Sequence, residues 1–163
     1  GTTDTTPPPP QTTYRYVWLV DTSASISGSF PGADIDAVEV VRQGRSFFGT
    51  AVTDWTTEPG TNNASDVRRI PGSPRAGASG PACAMDATPP HWYSMAGGQV
   101  VVDLGAQGAI RDGDTLTIYE CVQSGAPGDS FDVFIGTSSR IDAGTWVEVA
   151  TGASGTATIP IRL

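Results

Sequence analysis

Apolar and polar positions alternate over residues 14–20, with Tyr14, Tyr16, Trp18 and Val20 on one side and Arg15, Val17 and Leu19 on the other. Both sides are largely apolar, which predicts a strand inside a sheet rather than at its edge. Residues 21–32, rich in Ser, Thr and Gly, predict a loop. The apolar run through Ile35, Ala37, Val38, Val40 and Val41 fits a strand or one amphipathic turn, and its β-branched content tips the reading to strand. Residues 45–52, with Phe47 and Phe48, predict another. Periodicity then fails over residues 54–90, where Pro, Gly and Asn accumulate; a loop of that length is usually functional or stapled. Strand-like segments resume at 92–95, 99–104, 115–119, 131–135, 146–149 and 156–161. Turn signals separate them at Gly97-Gly98, Asp112-Gly113-Asp114, Pro127-Gly128-Asp129 and 152–155. The spacing predicts one all-β domain over residues 14–163, an antiparallel β-sandwich with a long irregular insertion at 54–90.

Composition agrees: 20 Gly and 13 Pro in 163 residues supply many turns, and this length suits one domain with a real core. All nine basic residues are Arg against seventeen acids, a net charge of -8. The one cluster, Arg68, Arg69 and Arg75, lies in the irregular loop, which argues against nucleic acid as a partner. No apolar run approaches the roughly 18 residues of a membrane-spanning helix. The Thr/Pro-rich arm at residues 1–13, including Pro7 to Pro10, has the character of a stiff polyproline spacer. With its start at Gly1 it reads as the processed or cloned end of an exported, extracellular or cell-surface protein. In that setting Cys83 and Cys121 are expected to form a disulfide; the alternative is two buried thiols.

The segments Tyr14-Arg15-Tyr16-Val17-Trp18-Leu19-Val20-Asp21 and Pro31-Gly32-Ala33-Asp34-Ile35-Asp36-Ala37-Val38-Glu39-Val40, with Trp92 to Gly105, Asp112 to Glu120, Asp129 to Gly136 and Trp146 to Val149, resemble bacterial discoidin-like, or galactose-binding-like, surface modules. The resemblance runs in order over residues 14–161 and implies a jelly-roll sandwich that binds glycans, other surface ligands or a structural cation. The insertion carrying Cys83 departs from it, and fold alone does not dictate function.

Several patterns carry candidate chemistry. Asp21-Thr22-Ser23-Ala24-Ser25 spells Asp-x-Ser-x-Ser, which resembles the first metal-binding loop of von Willebrand A domains, where a carboxylate and hydroxyls suit Mg²⁺, although that fold needs a parallel sheet with crossover helices. A Ser/Thr turn in a sandwich is the plainer reading. Asp34 and Asp36, expected on one face of a strand, and Glu120 are the leading ligands for a structural Ca²⁺; the alternative is that the acids cap turns and keep the surface soluble. His91 has no Gly-x-Ser-x-Gly elbow beside it, and no assembled catalytic constellation is evident, so catalysis is not expected.

Trp55, Trp92 and Tyr93, with Arg68, Arg69 and His91, form the best glycan-binding candidates, because aromatic faces stack on sugar C–H faces while polar groups bond hydroxyls. Trp92 and Tyr93 fit core packing equally well, and Trp18 and Trp146 are expected in the core. The alternative function is a structural subunit of an extracellular filament or surface assembly, self-associating through residues 1–13 by strand addition of 11–16 or of the arm upstream of it.

Overall fold

The structure, a computed structural model, describes residues 10–24, 26, 28, 31–61, 63, 65–74, 92–121 and 129–163. Among these, ten strands form a β-sandwich of two antiparallel sheets. They are β1 (Tyr16–Asp21), β2 (Asp34–Arg42), β3 (Arg45–Phe48), β4 (Ala51–Thr56), β5 (Tyr93–Ser94), β6 (Gln99–Asp103), β7 (Thr115–Glu120), β8 (Phe131–Gly136), β9 (Trp146–Ala153) and β10 (Ala157–Pro160). The first sheet has the order β4-β6-β1-β8-β9; the second has β10-β7-β2-β3, with β5 pairing the start of β2. The only α-helical segment among the described residues is the single turn Gly105–Gly108.

Alternation places the core. Val17 and Leu19 of β1, Val100 and Val102 of β6, and Phe131, Val133 and Ile135 of β8 turn inward against Ile35, Val38, Val40, Leu116 and Ile118 of the second sheet. Each such fully buried side chain contributes about 1.5–3 kcal/mol by leaving water. Strand β1 lies between β6 and β8, the internal position that its two apolar faces predict.

Two sequence expectations about the strands are corrected, and a bulge is added. Residues 45–52 are two strands in different sheets, joined at the corner Gly49-Thr50. There Gly49 N donates to Val38 O of one sheet while Thr50 N donates to Asp103 O of the other. A Cβ on Gly49 would stand 2.6 Å from Val102 Cγ1, so a larger residue would block the crossing.

Strand β2 carries a bulge between Ile35 and Ala37. The extra residue interrupts the two-residue period of the strand at Asp36.

Trp18 and Trp146 leave the core for the outer surface of the first sheet, half-buried, because they alternate with inward-facing neighbours. Trp18 stacks on Phe134 with centroids 4.6 Å apart and meets Trp146 at 5.4 Å. The connection after β8 is fastened over the same sheet: Thr53 Oγ1 donates to Ser139 O and Ile141 N to Asp54 Oδ2.

The von Willebrand A reading also falls, since both sheets are antiparallel and no crossover helix occurs among the described residues. Asp21 instead ties loops together: Oδ1 accepts from the Ser23 N and Oγ, and Oδ2 accepts from Gly97 N. Gly32, at φ +77°, passes so near that a Cβ there would stand 1.8 Å from Asp21 Oδ2.

Candidate ligand-binding cavity

Strand β4 edges the first sheet and β5 lies on the edge of the second, so the sandwich is open between them. The early insertion closes this seam. Asn63 Nδ2 donates to Ser94 O at 2.6 Å, and Ser94 N donates to Ser65 Oγ at 2.8 Å, so side chains replace the missing neighbour of β5. Ser65 N and Oγ both donate to Asn63 Oδ1, which fixes the two side chains relative to each other.

A 3₁₀ turn at Val67–Arg69 follows, packed against both β5 and β4. Its Val67 and the following Ile70 join the hydrophobic core and anchor it. Asp66 starts the turn by accepting from Arg68 N, and its two oxygens also accept from Arg68 Nε and Nη2. These Arg68 hydrogen bonds hold the Asp66 carboxyl down at about 2.

Between turn and strands lies a cavity of about 480 Å³, lined by Trp55, Thr57, Asn63, Ser65, Asp66, Val67, Arg68 and Tyr93. That is within the range of small-molecule sites, which run from about 300 to 1,000 Å³. Trp55 is 52% exposed, whereas Tyr93 is only 3% exposed. The Tyr93 hydroxyl has no hydrogen-bond partner among the described residues, and burial pushes its pKa up to about 12. It is therefore a neutral phenol at any physiological pH.

Of the residues expected to bind ligand, Trp55, Arg68 and Tyr93 meet in this cavity. Arg69 belongs to the same 3₁₀ turn but not to the lining. Trp92 is fully buried against Cys121, which withdraws it from any surface site. His91 lies outside the described residues, as does Cys83, the expected disulfide partner of Cys121. Sequence reasoning missed Thr57, Asn63, Ser65, Asp66 and Val67. Their signal was local: Asn63 and Asp66 each accept from a backbone N–H two residues on, a habit of short polar side chains at turns.

The acids proposed for a cation are placed differently. Asp34 accepts from Ser94 Oγ, and Glu120 accepts from Gly155 N. Among the described residues no group of three or more His, Cys, Asp or Glu is arranged to hold a metal ion. Burial, reinforced by the charges of Asp129, Asp34 and Asp21, pushes Glu120 up to about 8. A carboxyl there keeps a proton near neutrality.

Residues 1–9 of the arm lie outside the described residues, and 10–13 are exposed. Tyr14 pairs with Ile110 of its own chain through two backbone hydrogen bonds, and Tyr16 opens the central strand β1. The upper end of the segment expected to add to a neighbour's sheet is thus already engaged within the chain. No helix among the described residues is long and apolar enough to cross a membrane.

Comparison with protein-family models, curated proteins and solved structures finds no match.

Proposed function

We propose that this chain is a non-catalytic, extracellular carbohydrate-binding module, a galactose-binding-like jelly roll that takes a sugar in the cavity between β4 and β5. One observation carries the reading: a half-exposed indole, Trp55, stands over a cavity whose other walls are Asn63, Ser65, Asp66, Arg68 and a buried phenol. Sugar rings offer an apolar C–H face beside a rim of hydroxyls, which such a mixed surface complements. The Thr/Pro-rich arm has the character of a spacer in an exported surface protein.

The indole also sets the expected effect. A Trp side chain covers about 150–250 Å² when buried, so sheltering part of its exposed half under a sugar is worth roughly 1–2 kcal/mol. Trp55→Ala is therefore expected to weaken retention on immobilised polysaccharides about five- to thirtyfold in affinity electrophoresis, with the unfolding midpoint hardly changed. Retention of the variant equal to that of the parent would remove the indole from the site.

A further inference from the structure

We infer that copies of this chain associate end to end, the arginine-bearing end of one sandwich set against the acid-bearing end of the next. Strand β2 joins the two ends, starting at Asp34 and finishing at Arg42. At about 3.3 Å per residue these lie roughly 26 Å apart, beyond a Debye length of about 8 Å in physiological salt, so each end presents its own field. At the Arg42 end positive charge is left over. Arg42 faces Arg45 across the β2–β3 pair, and the Phe47 ring lies under both guanidiniums at 5.4 and 5.6 Å. Arg42 is spent on Asp114, which also accepts from Arg111 N, while Ile161 N donates to Asp114 O and brings Arg162 alongside. Arg45, Arg111 and Arg162 are exposed, and none has a carboxylate partner among the described residues. Asp112 and Asp114 are the acids of this cluster, so four arginines outweigh two carboxylates. Arg15 and Asp103, at the same end, cancel each other. A recess of about 330 Å³ opens there between Gln11, Gln43 and Arg111.

At the opposite end the sign reverses. Asp21 closes β1, Asp132 pairs beside it near the start of β8, and Asp129 lies just before that strand. Glu58 N donates to Ala96 O, which places an exposed carboxylate at the same end. Burial and the neighbouring charge of Asp21 both push the Asp129 carboxyl up, a sign of like charge held close. Arg68 and Arg69 stand apart on the seam between the sheets, and Arg68 is spent on Asp66. Copies of a chain with net charge -8 repel one another in most orientations. Setting the arginine end on the acidic end is the approach that turns repulsion into attraction and suppresses the others. Because the two surfaces differ, the contact is heterologous: each added copy leaves one end of either sign free, so assembly continues past the dimer.

The test is sedimentation velocity over a concentration series in about 0.02 M and about 0.5 M sodium chloride. In low salt the average mass is expected to climb past that of a dimer as concentration rises, and high salt to weaken the association about tenfold or more. Two variants separate the ends. Arg45→Glu with Arg111→Glu spoils the basic end and leaves the acidic one native; Glu58→Arg with Asp129→Arg does the reverse. Each alone should stay monomeric in low salt. Mixed in equal amounts they should form a dimer and stop there, since the mixture contains one native pair of ends. A parent protein that remains monomeric in low salt, or association that salt leaves unchanged, would overturn the inference. Association retained by the Arg45→Glu, Arg111→Glu variant would put the contact on another surface, the arm or the outer aromatic face, and overturn it equally.

Discussion

Replacing Arg42 with alanine is expected to cost about 3–5 kcal/mol, the penalty for leaving a buried carboxylate without its partner. Arg42 Nε and Nη2 donate to the two oxygens of Asp114 at 2.9 and 2.7 Å, and Nη2 also donates to Ala109 O at 2.6 Å. The Asp114 side chain is 4% exposed and the Arg42 side chain 18%, so the pair is largely withdrawn from water. This cluster joins the end of β2 to the turn before β7, where Ile161 N reaches Asp114 O. Burial alone would raise the Asp114 pKa, but hydrogen bonds from Arg42 and from Arg111 N overcome it and lower the carboxyl below its usual range. Stability from this group is present above its unfolded pKa and is lost as pH falls through the lower folded value. Urea unfolding at neutral pH should show the midpoint of the variant falling by 1 M or more, given slopes of about 1–3 kcal/mol/M. A loss below about 1 kcal/mol would class the pair with ordinary surface ion pairs.

Glu120 gives the opposite dependence. Its folded pKa, pushed up to about 8, lies well above the ordinary carboxyl value. Between the two values the folded chain binds a proton that the unfolded chain has lost, so stability declines as pH rises across this window. Below it the group contributes no slope, and above it the loss is complete. Each pK unit is worth about 1.4 kcal/mol, so the total is a few kcal/mol. Glu120→Gln keeps an oxygen for Gly155 N while removing the titration, and is expected to be more stable than the parent at pH 8 and nearly equal to it at pH 4. Unfolding free energies at pH 4, 6 and 8 for both proteins check this, since His91 and every other titrating group are common to the pair. Parallel curves would show that Glu120 is ionised in the folded state.

Much of the sandwich was legible because period-two patterns are local. The alternation around Trp18 marked β1, and the six later segments became β5 to β10, with β9 running four residues past its expected end into Ala153. What pattern could not reveal was where the chain leaves its period or its sheet. The crossing at Gly49 depends on room beside Val102, and the bulge at Asp36 depends on pairing with β7. Trp18 and Trp146 look like core residues in sequence because an aromatic side chain satisfies a core or a covered outer face equally. Here Gly136 makes the outer position possible, since a Cβ there would lie 2.2 Å from the Trp146 ring.

The candidate site was legible in its aromatic members and hidden in its polar ones. Trp55 and Tyr93 stood out by size, whereas Asn63, Ser65 and Asp66 belong to a loop whose side-chain bonds to β5 exist only after the two sheet edges approach. The acids expected to bind a cation could not be placed from pattern either: Asp34 accepts from Ser94 Oγ and Glu120 from Gly155 N, and burial of Glu120 favours its protonated form.

The cavity as a sugar site is tested most directly by ¹H–¹⁵N correlation spectra recorded during titration with an uncharged methyl glycoside. The expected result is saturable shifts centred on the Trp55 indole, the amides of Asn63 to Arg68 and Tyr93, absent from the same titration of Trp55→Ala. Shifts centred instead on the outer aromatic face of Trp18, Phe134 and Trp146, or spectra unchanged at saturating sugar, would contradict it.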